Sequence, residues 1–535
     1  MRRLAAAIGL AALVSLPGLG CAAKQTPRAT EDALLPARVR RLSNFEFERS
    51  ANALLSLDES LHDALPPDER QDGYTINERQ AMPSHYAVEL ARVADKLAGL
   101  AVEKSLAQLL PCANESNVSD ACVEGALTKL GRRAFRRAPT EAERRSLLAL
   151  YQQGFAAPEL PSDAARRASG MAFVLATLLK SPSFLYLTEL GDAQRPNQLT
   201  PYEIASSLAY AVSGTAPNAD LLSAAESPTQ LLEAEQREAF ARRLLAQSST
   251  RHHFREFVLE WLEVDQLERT AKASHLVANY DVLKSHMLAE TRNFADEVMV
   301  YGGASLRSLL GAGFTSLDPE MADYYGIPGF SGARVRLSGQ RRLGVLEHAS
   351  FLSAHAYEDV TSPVKRGDFV LRRVLCVDLP RPGEVGIETV MPPRSEHGTT
   401  RERFAAHVAS AECRTCHASI DPLGFSFESF DAAGRRRSRE HEAPIETAGQ
   451  LDVAGHALRF RDSAELATQL SQLPETRRCF ARQALRYWTG RRSAATEEWF
   501  ESLIDTLPSA RRDSLLEWVV AWVKSPEFIQ RRRPT

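Results

Sequence analysis

The run MAFVLATLLK at residues 171–180 has the apolar spacing of an amphipathic helix. Its apolar side chains fall at positions i, i+3, i+4, i+7 and i+8, which is one stripe along a helix of 3.6 residues per turn. They are Met171, Val174, Leu175, Leu178 and Leu179. The run LLEWVVAWV at 515–523 has almost no polar face, so we expect a second, largely buried helix there. The pattern predicts a mainly α fold.

Signals for helix starts recur outward from this run. In three of these signals a Ser or Thr is followed three residues later by Glu, a spacing at which each side chain can bond a backbone N–H of the other residue. The pairs are Ser43 with Glu46, Thr140 with Glu143, and Thr200 with Glu203. Two segments differ from this pattern. We expect an irregular or hairpin region at 325–342 and a short strand pair at 443–460.

Two parts of the chain resemble each other. The run RRAFRR at 132–137 leads to KSPSF at 180–184, and ARQALR at 481–486 leads likewise to KSPEF at 524–528. Proline stops a helix because it lacks an N–H and disfavours helical backbone at the preceding residue. We interpret the two segments as one helical unit that is used twice.

The sequence ECRTCHASIDP at 412–422 carries the strongest functional motif. In Cys-x-x-Cys-His, two thiols can form thioethers to the vinyl groups of a haem while the histidine ligates the iron. With 7 Cys and 13 His in 535 residues, a random chain would contain this pattern about once in five hundred cases. We therefore predict covalent haem c, attached at Cys413 and Cys416, with His417 as the iron ligand.

The N-terminus agrees with the export that haem c attachment requires. A positive start at 1–3, an apolar core at 4–16 and small residues before Cys21 form an export signal. The core is too short for a membrane-spanning helix of about 20 residues. We predict lipid attachment at Cys21, with plain cleavage near Ala23 as the alternative. The protein would then be an outer membrane lipoprotein or periplasmic, held to the membrane by its N-terminal lipid only.

Four cysteines remain, an even number that suits an oxidising compartment. Cys112 and Cys122 flank a short polar loop, whereas Cys376 and Cys479 would bracket the haem motif and tie it to the C-terminal helices. Four cysteines allow three pairings. This pairing is our hypothesis.

The composition of the chain and the absence of several motifs disfavour some classes of function. The net charge is −3, so there is no global basic field, and we expect no nucleic-acid partner. The sequence contains no Gly-rich phosphate loop, no His-Glu-x-x-His helix and no Gly-x-Ser-x-Gly elbow. Hydrolase and nucleotide-enzyme functions are therefore disfavoured.

A haem needs an apolar wall and partners for its propionates. We expect the wall from the apolar residues that follow the motif, which are Ile420, Leu423, Phe425, Phe427 and Phe430. Arg435 or Arg437 is expected to pair with the propionates. Asp421 and Pro422 suit a helix start. Asp421, Glu428 and Asp431 could alternatively gather calcium.

The second axial ligand is the open question of the site. The last methionine is Met391, so no methionine follows the motif. His355 is the first candidate. The others are His407, His441, His456, the upstream Met391 and an open position. Bis-histidine ligation would favour electron transfer, and an open position would favour peroxide or oxygen chemistry.

These motifs resemble exported proteins common in planctomycetes and myxobacteria, which carry five successive domains of unknown function around a cytochrome-c-like motif. The resemblance covers nearly all of the chain after residue 36. It rests on RRLSNFEF at 40–47, GRRAFRR at 131–137, the stretch 257–262 with Trp261, TSPVKRG at 361–367, and residues 413–435. It implies an exported, mostly helical c-haem protein and no established reaction. The run DGY at 72–74 departs from that family's Gly-Phe-x-Asn pattern, which leaves the role of this loop in doubt.

The sequence therefore predicts a multi-domain helical assembly with a small cytochrome-c-like haem segment and few short strands. We expect a lipoprotein-type signal peptide (1–21), a linker (22–36), an N-terminal helical domain (37–104), a helical domain with the first copy of the repeated unit (105–192), a central helical domain (193–380), a haem-binding segment (381–465) and a C-terminal helical domain with the second copy (466–535).

Three functions are compatible with these features. The first is an exported c-type haem protein in electron transfer or oxidative chemistry, with a redox partner protein or a small oxidisable substrate. As an enzyme it would be a haem-dependent oxidoreductase or peroxidase-like. The second is an envelope structural or glycan-associated protein with accessory haem. The third is a zinc protein that binds the metal at Cys413, Cys416 and His417.

Overall fold

A computed structural model describes residues 27–533 with short gaps. The gaps are 62, 116–117, 158–159, 196, 301–302, 329, 331, 333, 337–341, 343, 381, 387–397 and 409–410. The predicted signal peptide with Cys21, and the ligand candidate Met391, lie outside the described residues. The expectations placed on them stay predictions.

The described chain is mainly α-helical, which confirms the expected fold class. Its strands are short and pair only in two-stranded antiparallel sheets. No helix in this part of the chain is long and apolar enough to cross a membrane.

The first hydrophobic core is built by the N-terminal helices around the stretch 171–180. Its elements are β1 (Arg38–Arg41), α1 (Asn44–Leu55), α2 (Ser84–Leu109), α3 (Asp120–Phe135), α4 (Glu141–Phe155), α5 (Asp163–Lys180), α6 (Pro182–Leu185) and β2 (Tyr186–Glu189). The predicted stripe of α5 is buried and packs against α2 and α4. The three predicted capping boxes, at Ser43, Thr140 and Thr200, are all formed.

The second core is larger and joins the rest of the chain. Its first elements are α7 (Pro201–Ser213), α8 (Ala219–Ala224), α9 (Ala234–Leu245), α10 (Ser248–Trp261), α11 (Tyr280–Val300), α12 (Leu306–Gly311), β3 (Phe314–Ser316), α13 (Pro319–Tyr324), β4 (Arg334–Arg336), α14 (Ala349–Ala354) and α15 (Pro363–Phe369). A π-helical turn, Val370–Val374, continues α15. The strand β4 lies in the region 325–342 and pairs antiparallel with β3, and α13 lies between them in the chain.

The C-terminal part of the chain completes this core. Its elements are α16 (Thr400–Phe404), α17 (Ala411–Phe425), β5 (Arg439–Glu440), β6 (Ala443–Pro444), β7 (Gly449–Val453), β8 (His456–Phe460), α18 (Ser463–Leu470), α19 (Pro474–Thr489), α20 (Ala494–Asp505) and α21 (Leu515–Lys524). The pairing of β7 with β8 confirms the strand pair expected at 443–460. The expected buried helix is α21, in which Trp518 is fully buried.

The two similar sequence segments have the same order of elements. The first runs through α3, α4, α5 and the short α6, and the second runs through α19, α20, α21 and a 3₁₀ turn, Pro526–Ile529. In each, the serine of Ser-Pro caps the last short element. A buried arginine bonds the backbone at each Ser-Pro turn. Arg136 donates to the carbonyl oxygens of Ser183 and Phe184, and Arg237 donates to the carbonyl oxygen of Lys524.

The C-terminus closes on the start of the fold through a buried carboxylate. Glu189 at the end of β2 accepts hydrogen bonds from Arg38 and Arg531. Burial opposes ionisation of Glu189, but the two guanidiniums hold its pKa well below the usual value.

The domain boundaries expected from the sequence stay a prediction.

Both disulfides of the structure are the ones expected from the sequence. Cys112 is joined to Cys122, and Cys376 to Cys479. The second bond links the segment just after the π-helical turn to α19. It therefore ties the residues before the haem motif to the C-terminal helices.

Candidate haem-attachment site

The helix α17 carries all three residues of the haem motif. Cys413 and Cys416 are three residues apart, and His417 follows directly. Positions i, i+3 and i+4 share one side of a helix, so the three side chains leave α17 on a common face. Both thiols are partly exposed and lie outside the disulfides.

A buried carboxylate orients the imidazole of His417. Its Nδ1 lies 2.8 Å from Oδ1 of Asp421, one turn further along the helix. The side chain of Asp421 is 7% exposed and that of His417 is 18% exposed. When Nδ1–H donates to this carboxylate, the lone pair of the neutral ring is on Nε2, which is the arrangement of many metal-bound histidines.

The same contact corrects one expectation about local structure. Asp421 and Pro422 were expected to start a helix, but both lie inside α17. The carboxylate of Asp421 is committed to His417 rather than to capping. The helix begins a full ten residues earlier, at Ala411, and continues through the proline.

Two glycines let α17 lie directly on α15. A Cβ atom on Gly424 would overlap the carbonyl oxygen of Pro363, and one on Gly367 would overlap the carbonyl oxygen of Ile420. Backbones at this distance leave no room for any side chain. Ser362 caps α15 and Pro363 occupies its first turn, so the TSPVKRG run sets where α15 starts against the haem helix.

The buried side chain of Arg366 shapes the chain after α17. Its guanidinium donates to the carbonyl oxygens of Leu352, Phe427, Phe430 and Asp431 at 2.9–3.2 Å. Burial lowers the pKa of Arg366 to about 10, so the group stays charged at neutral pH. Sequence reasoning missed this role, although Arg366 lies in a run that carries the family resemblance.

Three nearby carboxylates have separate partners, which does not support a shared calcium site. Asp421 binds His417, as described above. Glu428 accepts from Thr361 and Arg437 at 2.8 and 2.7 Å, and burial raises its pKa. Asp431 instead accepts backbone N–H groups of the turn that follows it.

The apolar residues expected to form a haem wall pack against other side chains of the protein. All five are buried, with exposures of 0–6%. Phe427 contacts Phe351, Phe425 contacts Phe404, and the ring of Phe430 lies under a guanidinium. These side chains stiffen the base of the site, and a haem face would have to be covered by other residues.

The histidines proposed as second ligands are placed in different surroundings. His355 is buried between Phe351 and Phe369, and its Nε2 lies 2.9 Å from the carbonyl oxygen of Leu262. Burial lowers its pKa, so the ring is neutral and Nε2–H donates to this carbonyl. Ligation by His355 through Nε2 would require that bond to break.

The remaining ligand candidates are distributed as follows. His441 is exposed in the turn between β5 and β6, and His456 is exposed at the start of β8. The backbone of His407 belongs to a 3₁₀ turn, Ala405–Val408, just before α17. The identity of the second axial ligand therefore stays a prediction.

The two arginines expected at the propionates already have partners. Arg437 donates to Glu428. Arg435 donates to the carbonyl of Leu276 at 3.1 Å and lies 4.7 Å from the ring centroid of Tyr324. Arg435 lines a separate cavity, and the residues of the haem motif do not line it.

The loop that departs from the expected family pattern is part of the core. Gly73 has a φ of +90°, and its Cα is packed against the guanidinium of Arg373. The hydroxyl of Tyr74 donates to Gln483 of α19 at 2.9 Å. The loop therefore links the N-terminal helices to the C-terminal ones, a role that the sequence left in doubt.

Comparison with protein families found four successive matches, each to a protein of unknown function. Residues 40–103 match PSD3 (DUF1587), residues 122–189 match PSD5 (DUF1595), residues 199–327 match PSD4 (DUF1592), and residues 342–440 match PSCyt3 (DUF1588). Comparison with curated proteins and with solved structures gave no match.

The last of these matches contains both the TSPVKRG run and the haem motif. The close contact of α15 with α17, and the bonds from Arg366 to the residues after α17, thus fall within one matched segment. The chain is a multi-domain protein of unknown-function domains, with successive segments that match PSD3, PSD5, PSD4 and PSCyt3.

Proposed function

We propose that this chain is an exported c-type haem protein that transfers electrons or performs oxidative chemistry at the cell envelope. Haem is attached at Cys413 and Cys416, and His417 is the proximal ligand. The bound haem supplies the electron-accepting iron. The protein holds the imidazole through Asp421 and supports α17 on α15.

The observation that carries the proposal is the common face of α17 on which Cys413, Cys416 and His417 lie. Among the described residues, four cysteines form two disulfides, and only Cys413 and Cys416 are left as thiols. Cysteines outside disulfides are unusual in an oxidising compartment. Thioether bonds to one haem would account for both of them at this spacing.

The geometry favours haem over zinc at the motif. A tetrahedral zinc ion needs its ligand atoms about 3 to 4 Å apart, as follows from metal–ligand distances of 2.0–2.3 Å. In the described part of the chain, the ligand atoms of Cys413, Cys416 and His417 do not converge within 4.8 Å of one another. Haem attachment needs no such convergence, because the thiols and the imidazole bind different atoms of the cofactor.

The family name PSCyt3 supports the proposal, since it contains the abbreviation for cytochrome and the match covers residues 342–440. Lipid attachment at Cys21 and an outer membrane or periplasmic location belong to the same proposal. A redox partner protein or a small oxidisable substrate would complete the reaction.

The test is expression with its own leader in a bacterial host that matures c-type cytochromes, followed by haem staining of a denaturing gel. We expect a coloured band that survives denaturation. Changing Cys413 and Cys416 to Ala should abolish it. The matched control changes Cys112 and Cys122 to Ala, which removes a cysteine pair elsewhere and should leave the colour. A colourless wild-type band beside a stained reference cytochrome would refute the proposal.

A further inference from the structure

An open cavity of about 670 Å³ lies beside α11 and α13, away from the haem motif. It is formed where the segment matching PSD4 meets the segment matching PSCyt3. Its lining includes His286, Tyr324, Tyr325, Arg342 and Arg435.

Arg342 brings a buried positive charge to this cavity. The residue is 4% exposed, and its guanidinium lies between the rings of Tyr325 and Phe430, 4.0 and 4.6 Å from their centroids. It donates to the carbonyls of Glu347 and Gly434. Among the described residues, no carboxylate lies within 4.0 Å of it. A guanidinium stays charged in proteins. The buried Glu290 interacts with it electrostatically, but burial raises the pKa of Glu290 to about 7, so the charge of Arg342 is only partly compensated at neutral pH.

Arg435 adds a second positive charge at the rim. Its guanidinium is held over Tyr324 and by the carbonyl of Leu276. The described residues place no carboxylate within 4.0 Å of this group either. Among the described residues, neither guanidinium forms a direct ion pair, and two oriented guanidiniums of this kind at one cavity point to an anionic ligand.

The imidazole of His286 also lines the cavity and can accept a hydrogen bond. Nδ1 of His286 lies 2.6 Å from Oδ2 of Asp318. The other oxygen of Asp318 accepts the backbone N–H of Met321 at 2.9 Å, which fixes the carboxylate at the start of α13. With Nδ1–H donating to Asp318, the lone pair of His286 is on Nε2.

We propose that this cavity binds a small organic acid that carries one carboxylate and one hydroxyl group. Arg342 and Arg435 hold the carboxylate, and His286 accepts the hydroxyl hydrogen bond. The apolar body of the ligand lies against Val282 and Leu283, which also line the cavity. Glu320 and Asp323 line it as exposed groups and would repel a second negative charge on the ligand. The site needs no haem.

The experiment is calorimetric titration of the full-length protein with three probes: mandelate, its neutral analogue mandelamide, and phenylacetate, which lacks the hydroxyl. Mandelate should bind most tightly. Loss of the charge or of the hydroxyl bond should each weaken binding about 10- to 100-fold. The change R435Q should weaken mandelate by a similar factor. The control R92Q, which removes an exposed arginine on α2, should leave it unchanged.

The variant H286Q distinguishes binding of the hydroxyl group from binding of the carboxylate. It should reduce the preference for mandelate over phenylacetate while keeping the preference for mandelate over mandelamide. No binding of either acid at millimolar concentration would overturn the proposal, and so would equal affinities in R435Q and R92Q.

The same titration with zinc chloride tests the competing assignment. His286, Asp318 and Glu320 each offer a ligand atom within 4.8 Å of the others. Zinc binding that is lost in H286Q and kept in R435Q, without binding of the acids, would overturn the anion site and assign the cavity to a cation.

Discussion

Nδ1 of His417 and Oδ1 of Asp421 lie 2.8 Å apart, one turn from each other on the same helix. A carboxylate in this position makes the imidazole a stronger donor to the metal and favours the oxidised iron. We predict that D421N keeps covalent haem but raises its reduction potential, on the order of 60 mV for a tenfold change in a one-electron equilibrium. Potentiometric titration checks this. A D421N protein with an unchanged potential would show that the contact does not act on the haem.

The contact between α15 and α17 predicts a large effect from a single methyl group. In G424A the new Cβ would overlap the carbonyl oxygen of Pro363, so the helices must separate. We expect a loss of about 1–3 kcal/mol in stability, as for other overpacked sites. Thermal unfolding followed by circular dichroism measures it.

The matched control is G99A on α2, where a Cβ would meet no atom within 4 Å. That change should stabilise the protein by about 0.5–1 kcal/mol, because alanine is the better helix former. Equal melting temperatures for G424A and G99A would contradict the described helix contact.

The two disulfides should differ in their effect on stability. Cys376 and Cys479 are 103 residues apart, whereas Cys112 and Cys122 are 10 apart. In the loop-entropy model, the longer loop contributes about 2 kcal/mol more. We predict that replacing Cys376 and Cys479 by Ala lowers the melting temperature more than replacing Cys112 and Cys122 by Ala. The reverse order would show that strain or residual structure outweighs loop length.

A buried carboxyl on α11 predicts a pH-dependent stability difference. Glu290 accepts hydrogen bonds from Tyr325 and Thr315 at 2.6 and 2.9 Å, and burial raises its pKa to about 7. Between its ordinary value of 4.5 and 7, the folded protein holds a proton that the unfolded chain has released. Stability from this group is therefore lost as the pH rises through that window.

The variant E290Q cannot ionise, so it should gain relative to wild type as the pH rises. We expect the difference in unfolding free energy to shift by about 2–3 kcal/mol in favour of E290Q between pH 5 and 8. Denaturant unfolding at both pH values measures it, with E103Q on the exposed side of α2 as the control. A shift of opposite sign would contradict a proton-holding Glu290.

Local features of this molecule followed from sequence, and contacts between distant segments did not. The apolar stripe of α5 and the capping box at Thr140 depend on residues a few positions apart, and both are present. The pairing of Cys376 with Cys479 could be guessed because only three pairings exist. No sequence spacing indicated that Arg366 would bind carbonyls more than 60 residues later.

The residues of the candidate site show the same difference between local features and contacts that join distant segments. The common face of Cys413, Cys416 and His417 follows from helical spacing, whereas the position of His355 depends on how α14 and α15 pack. The sequence indicated apolar residues after His417 but could not say which side they face. Because α17 lies directly on α15, those residues enter the protein core.

Covalent attachment of haem at Cys413 and Cys416 would change the mass of the protein. The most direct test is the intact mass of the full-length protein, purified after export from a host that matures c-type cytochromes, under denaturing conditions. We predict a mass higher than that of the processed polypeptide by one haem, and no such increase when both cysteines are Ala. A wild-type mass equal to that of the polypeptide, with any lipid accounted for, would contradict the claim.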